Sequence, residues 1–183
     1  MTWRNTEYGI SELTRCSRRS PLGALGRGLL ASAIGITAMD LLWYYRYRRG
    51  GGQSSPIDWE FSVGLEDWSN ASTPGQVGKR LCEGYFQKEL APRWAALTQN
   101  FVHWAYGLFW GAVYGIVTSA GRPPRILSGL LFGSAVWLIV YVILPPAKLY
   151  KPIWQYDART LAKDWSAHLV FGVATALAFR GRS

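Results

Sequence analysis

Residues 126–144 read ILSGLLFGSAVWLIVYVIL, a run without a formal charge. A bilayer core about 30 Å thick is crossed by a helix of roughly 20 mostly apolar residues, so this stretch is long enough to span one. Tyr141 near its end and Tyr150 just beyond it are of a residue type enriched at the membrane–water interface. The alternative is a soluble bundle, whose core helices are also apolar all round, but aliphatic runs of this length are hard to keep in water.

Three further segments resemble this one. The first is interrupted by Asp40, the second carries no formal charge, and the last begins with Lys163 and Asp164. Lys163 can extend its ammonium group toward the interface, which makes the last segment tolerable as a span. The sequence therefore predicts an all-α protein, a four-helix transmembrane bundle. We expect a basic N-terminal tail at 1–23 and a single transmembrane domain at 24–183, with spans near 26–45, 98–120, 126–144 and 161–180.

The net charge of +9 comes from 20 Lys and Arg residues against 11 Asp and Glu residues. In a soluble protein this balance suggests nucleic-acid binding, but the chain has no nucleic-acid-binding motif. Its basic residues gather at segment ends, as at Arg46, Arg48 and Arg49, where they can meet anionic headgroups. We expect the lipid bilayer as the partner, with another membrane protein or a second copy as further candidates and no nucleic acid.

Four spans place both termini on the same side of the membrane. That side has little acid beyond Glu7 and Glu12, whereas most carboxylates belong to the other side. Lys and Arg near short loops mark the cytoplasmic side, which favours cytoplasmic termini, although the arginines after the first span argue the other way. Cys16 and Cys82 fall on opposite sides of that span, so a disulfide between them is not expected.

A long polar connection, 46–97, joins the first two spans. Thr73, Pro74 and Gln76 resemble an N-cap, a first-turn proline and a capping-box partner. Apolar residues then recur at helical spacing until Pro92, which ends the segment. The pattern predicts a short amphipathic helix that lies on the membrane or caps the bundle. Its apolar face is formed by Val77, Leu81, Tyr85 and Phe86.

The second and fourth spans share a spacing of residue types. This similarity favours two copies of a two-helix hairpin, which would be parallel and related by an axis along the membrane normal; chance matches in apolar sequence leave the repeat open. The matching sets are His103, Tyr106, Gly107, Gly111 and Tyr114, and His168, Phe171, Gly172, Ala176 and Phe179. Glycines spaced by four admit a neighbouring backbone. We expect helix packing at Gly107, Gly111, Gly115, Gly129, Gly133 and Gly172.

Four acidic or histidine residues lie within the predicted spans: Asp40, His103, Asp164 and His168. Such groups are costly in lipid and are functional candidates by default. The chain directions put all four in the same half of the bilayer, and the last two share a helix face because they are four residues apart. They can be structural interhelical contacts, a site for a cation, proton or small polar ligand, or, at the two histidines, axial ligands of a haem b.

The function is less well determined than the fold. No GxSxG, Walker loop, HExxH or zinc-ligand spacing occurs, and we therefore expect a protein without enzymatic activity. An accessory or scaffold role in the membrane is the first expectation. Binding or transport through the Asp/His cluster is one alternative, and a bis-histidine haem protein is the second.

Residues 98–180 resemble the YagU-like family of bacterial inner-membrane proteins, whose biochemical role is not established. The resemblance implies a multi-pass protein of the bacterial cytoplasmic membrane and offers no activity to carry over. The long connection departs from that family. The matching features are His103 and Tyr106 in a glycine-rich span, a span that begins with Gly129 and Gly133 and leads to Pro145, Pro146 and Pro152, and a final His168-Leu169-Val170-Phe171.

Overall fold

The structure, a computed structural model, describes residues 21–61, 68–119 and 126–180. Within these ranges the chain forms helices and connecting turns and no strand. Four helices are long: α1 (Pro21–Arg49), α4 (Ala95–Ser119), α5 (Ile126–Ile143) and α6 (Ala158–Arg180). Two are short, α2 (Pro56–Phe61) and α3 (Thr73–Phe86), and single 3₁₀ turns occupy Trp68–Asn70, Pro92–Trp94 and Ile153–Gln155. Most of the predicted basic tail and Cys16 lie outside the described residues.

The four long helices coincide with the four predicted spans. Of the described helices, only α1 and α5 are long and apolar enough to cross a membrane by length and composition. The many Trp, Tyr and Gly residues of α4 lower its mean hydropathy, and α6 begins with Arg159, Lys163 and Asp164. The helical bundle is therefore as expected, and two of its four long helices have the length and composition of a membrane span.

The long helices are antiparallel to their neighbours. α1 packs against α4 and α6, and α6 packs against α5. The consecutive helices α4 and α5 are instead joined through side chains. The Tyr114 hydroxyl lies 3.0 Å from Ser128 Oγ, and the Tyr106 hydroxyl donates to the Val136 carbonyl at 3.3 Å. Two hairpins, α1/α4 and α5/α6, thus meet along α1 and α6, and a space remains between α4 and α5.

Glycines bring the backbones of each hairpin together. In the first hairpin, a Cβ at Gly28 would lie 2.1 Å from the Gly111 carbonyl oxygen, and one at Gly115 would lie 2.3 Å from that of Ala24. The second hairpin is equally close, because a Cβ at Gly172 would lie 2.1 Å from the Gly129 carbonyl oxygen. Such approaches leave no room for a side chain. Gly107 and Gly133 also lie at these seams, against Ile36 and His168 respectively.

The outer surface of the bundle is rich in large apolar side chains. On α5, Leu131, Leu138 and Val142 are 64%, 49% and 67% exposed. The interior is a small core in which Ile36, Val136 and Phe171 are almost fully buried. The most apolar helix of the chain is therefore largely uncovered by the rest of the protein.

Helix α3, predicted as an amphipathic helix on the membrane or over the bundle, differs from that prediction at both ends. Its N-cap is Ser72, which makes no side-chain capping bond, so Thr73 is the first helical residue. The Gln76 side chain donates through Nε2 to the Trp68 carbonyl in the preceding 3₁₀ turn. No capping box forms, because the N–H of Ser72 donates to Gln99 Oε1 instead. The helix ends at Phe86, where Gln87 adopts a left-handed conformation with φ 53°. The prediction that Pro92 ends the helix was wrong, because the reversal at Gln87 terminates it first.

Candidate functional site

A cavity of about 550 Å³ lies in the half of the bundle away from Pro21 and Arg180, where α4 and α5 separate. All four long helices contribute to its walls. α2, the start of α3 and the connection after α5 line its outer end, through Trp59, Thr73 and Tyr150. The four ionisable residues singled out in the sequence all line this cavity: Asp40, His103, Asp164 and His168.

Asp40 and His103 form a pair across helices α1 and α4. His103 Nε2 lies 2.9 Å from Asp40 Oδ1. One turn away, Gly107 admits Ile36 against the α4 backbone, which holds the two helices close at this level. An ionised carboxylate can only accept a hydrogen bond. With Asp40 ionised, the Nε2–H of His103 therefore donates, and Nδ1 is the unprotonated nitrogen of the neutral ring.

Asp164 and His168 lie one turn apart on α6 and contact each other directly. His168 Nδ1 donates to the backbone carbonyl of Asp164 at 2.9 Å, because a carbonyl can only accept. The same nitrogen lies 3.4 Å from Asp164 Oδ1. Asp164 Oδ2 accepts bonds from Trp137 Nε1 and the Tyr141 hydroxyl, each at 3.1 Å. This carboxylate is thus well satisfied within the protein.

The two imidazoles differ in which ring nitrogen is free to bind a ligand. In the neutral state His103 has its free lone pair at Nδ1, whereas His168 has it at Nε2. A metal shared by both rings would meet two different ring edges, or His103 would have to release Asp40. Among the described residues no group of three or more His, Cys, Asp or Glu side chains is arranged to hold a metal ion. Haem binding through His103 and His168 stays a prediction.

Glu60 is a third carboxylate of the cavity that the sequence did not point to. It lies on α2, which Ser55 caps by accepting the Asp58 amide at 3.1 Å. Asn100 of α4 holds this helix to the bundle by donating to the Glu60 carbonyl at 3.1 Å. Burial raises the pKa of the Glu60 carboxyl, and the neighbouring charge of Asp40 raises it further. A six-residue helix within a polar connection is too short to give a periodic signal, so the sequence could not place Glu60.

The remaining lining is mostly apolar and aromatic. Trp43 and Phe171 contribute from α1 and α6, and Tyr106 contributes from α4. Trp59 of α2 stacks edge-on against Tyr44, with ring centroids 5.5 Å apart. Tyr150 lies in the connection after α5, where burial raises the pKa of its hydroxyl. No lysine or arginine is among the described residues that line the cavity.

Helix α3 is fastened over the outer end of the cavity. Its Gly78 lies against Thr98 and Val102 of α4, where an added Cβ would come within 2.3 Å of the threonine methyl. On its other side, the Arg80 guanidinium donates to the carbonyl oxygens of Ala147 and Lys148. Helix α3 therefore joins α4 to the connection after α5 across the outer end of the cavity.

Arg46 closes the same end of the bundle between α1 and α6. Its guanidinium donates to the Lys163 carbonyl and to Ser166 Oγ, both at 2.8 Å, and it lies 5.0 Å from the centroid of the Trp43 ring. Contact of this arginine with lipid headgroups stays a prediction; within the structure its hydrogen bonds link α1 to α6.

Comparisons with protein-family models, with curated proteins and with solved structures find no match to this chain. The resemblance to the YagU-like family therefore stays a prediction.

Proposed function

We propose that this chain is a multi-pass membrane protein that binds a small molecule within its helical bundle. The observation that carries this proposal is the cavity, into whose wall α1, α4 and α6 bring Asp40, His103, Asp164 and His168. Membrane insertion and ligand binding rest on separate observations.

Membrane insertion is supported by where the apolar residues lie. Helix α5 has a mean hydropathy of 2.3, yet only 22% of its most apolar window is buried within the protein. A soluble protein would cover such a helix, because large exposed apolar patches are costly in water. Lipid would cover it instead. Four spans would then place both termini on one side, and we propose the cytoplasmic side of a bacterial inner membrane.

Ligand binding is supported by the size and lining of the cavity. Small-molecule sites are typically clefts of about 300–1,000 Å³ with apolar walls and a few convergent polar groups, and the cavity of about 550 Å³ has this character. A purely structural Asp40–His103 contact requires no such space, since protein interiors are otherwise close-packed. An accessory or scaffold role, the first expectation from the sequence, gives no reason for the cavity.

The experiment fills the cavity and asks whether binding is lost. Val140 of α5 lines the cavity, whereas Val142, two residues on, is 67% exposed on the outer surface. Three size-matched probes are titrated against protein in lipid nanodiscs by saturation-transfer NMR, with empty nanodiscs as the reference: benzyltrimethylammonium, its uncharged isostere neopentylbenzene, and benzylsulfonate.

We expect at least one probe to bind the wild-type protein, to bind Val142→Trp equally, and to lose about tenfold or more in affinity for Val140→Trp, which corresponds to 1.4 kcal/mol. Size-exclusion chromatography and circular dichroism establish that both variants are folded. Binding of no probe, or equal binding by both variants, would contradict the proposal.

A further inference from the structure

We propose that the cavity takes an organic cation, an amine or quaternary ammonium carried on an apolar body. This inference rests on the proposed function and specifies the chemistry of its ligand. It starts from a contrast in charge. The chain carries 20 Lys and Arg residues, yet the described lining of the cavity includes none of them and includes three carboxylates, Asp40, Glu60 and Asp164.

The acidic groups of the lining are not matched by basic ones among the described lining residues. Three carboxyl groups stand against two imidazoles, and no lysine or arginine is present there. Asp40 pairs with His103, and Asp164 accepts bonds from two aromatic side chains. The Glu60 carboxyl, by contrast, makes no hydrogen bond or ion pair with any described residue. A positive ligand would compensate the charge that the fold leaves open.

Anions, neutral molecules and bare metal ions are less suited to this lining. An anion would meet carboxylates in a low-dielectric space where repulsion is strong. A neutral molecule would leave the Glu60 carboxylate desolvated and without a partner among the described residues. A bare metal ion lacks its usual set of ligands, since the described residues offer no group of three or more metal-binding side chains. These considerations leave a cation whose surface is largely apolar.

The aromatic lining supplies the second half of such a site. The faces of Trp and Tyr rings attract cations that approach within about 6 Å of the ring centroid, most strongly when the pair is desolvated. Four such residues come from four different elements and line the cavity together with the carboxylates: Trp43, Trp59, Tyr106 and Tyr150. Aromatic rings and carboxylates that surround an apolar space form the kind of site that binds alkylammonium groups.

The three probes named above test the charge of the ligand directly. We expect benzyltrimethylammonium to bind at least about tenfold more tightly than neopentylbenzene, a difference of 1.4 kcal/mol, and benzylsulfonate not to bind. Because the cation and its isostere have the same shape, the comparison changes the charge and its hydration but not the fit within the cavity.

Charge-removing variants then locate the effect. Glu60→Gln should lower the affinity for the cation several-fold and leave that for neopentylbenzene unchanged. Asp58→Asn is the matched control, since Asp58 lies on the same helix α2 but is exposed and outside the cavity. Asp58→Asn should bind as the wild type does.

Equal affinity for the cation and its isostere, or equal effects of the two α2 variants, would overturn the inference. If a neutral or anionic probe binds and Val140→Trp abolishes that binding, the proposed function survives while the cationic ligand is rejected. If no probe binds, both are rejected.

Discussion

The three carboxylates of the cavity differ in how the protein compensates them. Asp164 accepts hydrogen bonds from Trp137 and Tyr141, and Asp40 has an imidazole at 2.9 Å. The Glu60 carboxyl makes no hydrogen bond or ion pair with a described residue. Burial raises the pKa of this carboxyl, the charge of Asp40 raises it further, and His103 offsets only part of this rise. Its ionised form is therefore the one that the fold tolerates least.

This difference predicts how stability depends on pH. A carboxyl whose pKa is raised by folding stabilises the native state below its unfolded pKa, here near 4.5, and that contribution is lost as the pH rises through the folded value. We expect Glu60→Gln to remove this loss and to raise the melting temperature at pH 7. The rise should be a few degrees at most, because Glu60 is partly exposed and solvent screens its charge.

The measurement is thermal unfolding of both proteins in detergent from pH 4.5 to 8. All other titratable groups are common to both proteins, so the difference between the two curves isolates Glu60. Asp58→Asn serves as the control for a lost acid on the same helix. Because it weakens the hydrogen bond that Asp58 accepts from Ser55 at the start of α2, it should not raise the melting temperature. A difference between Glu60→Gln and the wild type that does not change with pH would contradict this account.

At individual sites, sequence reasoning reached the candidates but not their contacts. Chain direction alone put Asp40, His103, Asp164 and His168 in one half of the bundle, and the structure brings them to one cavity. Their partners depend on how each helix is turned about its axis, which a single sequence does not determine. Trp137 and Tyr141 face Asp164 for that reason, and no spacing rule connects them to it.

The helices themselves are held together by close backbone approach, and glycine makes this possible. Gly26 and Gly28 lie two residues apart on α1 but have opposite surroundings. A Cβ at Gly28 would meet the Gly111 carbonyl oxygen at 2.1 Å, whereas one at Gly26 would have nothing within 4 Å. Since the atom opposed to Gly28 belongs to the α4 backbone, it cannot move aside as a flexible side chain could.

We therefore expect Gly28→Ala to destabilise the protein by about 1–3 kcal/mol, the usual cost of overpacking. Gly26→Ala should be neutral or stabilise by about 0.5–1 kcal/mol, because alanine is the better helix former. Thermal unfolding of the two variants in detergent compares them directly. Equal stabilities would show that the α1 backbone at Gly28 does not contact the α4 backbone at Gly111.

The extents of the long helices followed from hydrophobicity, whereas the short elements did not. The apolar windows predicted α1, α4, α5 and α6 to within a few residues, because burial or lipid contact selects the same residues. The end of α3 depends on one left-handed residue, Gln87, for which glycine is the usual signal. Because this position holds a glutamine rather than a glycine, the sequence does not mark the helix end there, and Pro92 was predicted as the end instead.

In the whole molecule, the cavity is a consequence of how the two hairpins meet. Each hairpin is closed by glycines, and α1 packs against α6 where Gly35 lies against Phe171 and Thr175. The equivalent approach of α4 to α5 is not made; bulky side chains such as Tyr106 and Tyr114 span that distance. If the hairpins are repeats, the cavity marks the place where their symmetry is broken.

A single substitution on the outer surface of the bundle can test whether α5 faces lipid or water. Leu131 lies on α5 and is 64% exposed. In a soluble protein, Leu131→Arg would change stability by no more than about 0.5 kcal/mol, as surface substitutions usually do. In a membrane-spanning helix, arginine near the centre costs about 2.5–3.5 kcal/mol on insertion scales.

We expect Leu131→Arg to reduce strongly the fraction of protein that resists alkaline extraction from membranes. The control is Trp154→Arg, at a position 80% exposed in the connection after α5, which should have no such effect. Equal extraction of the two variants would mean that α5 faces water, and the exposed leucines would then have to be covered by another protein.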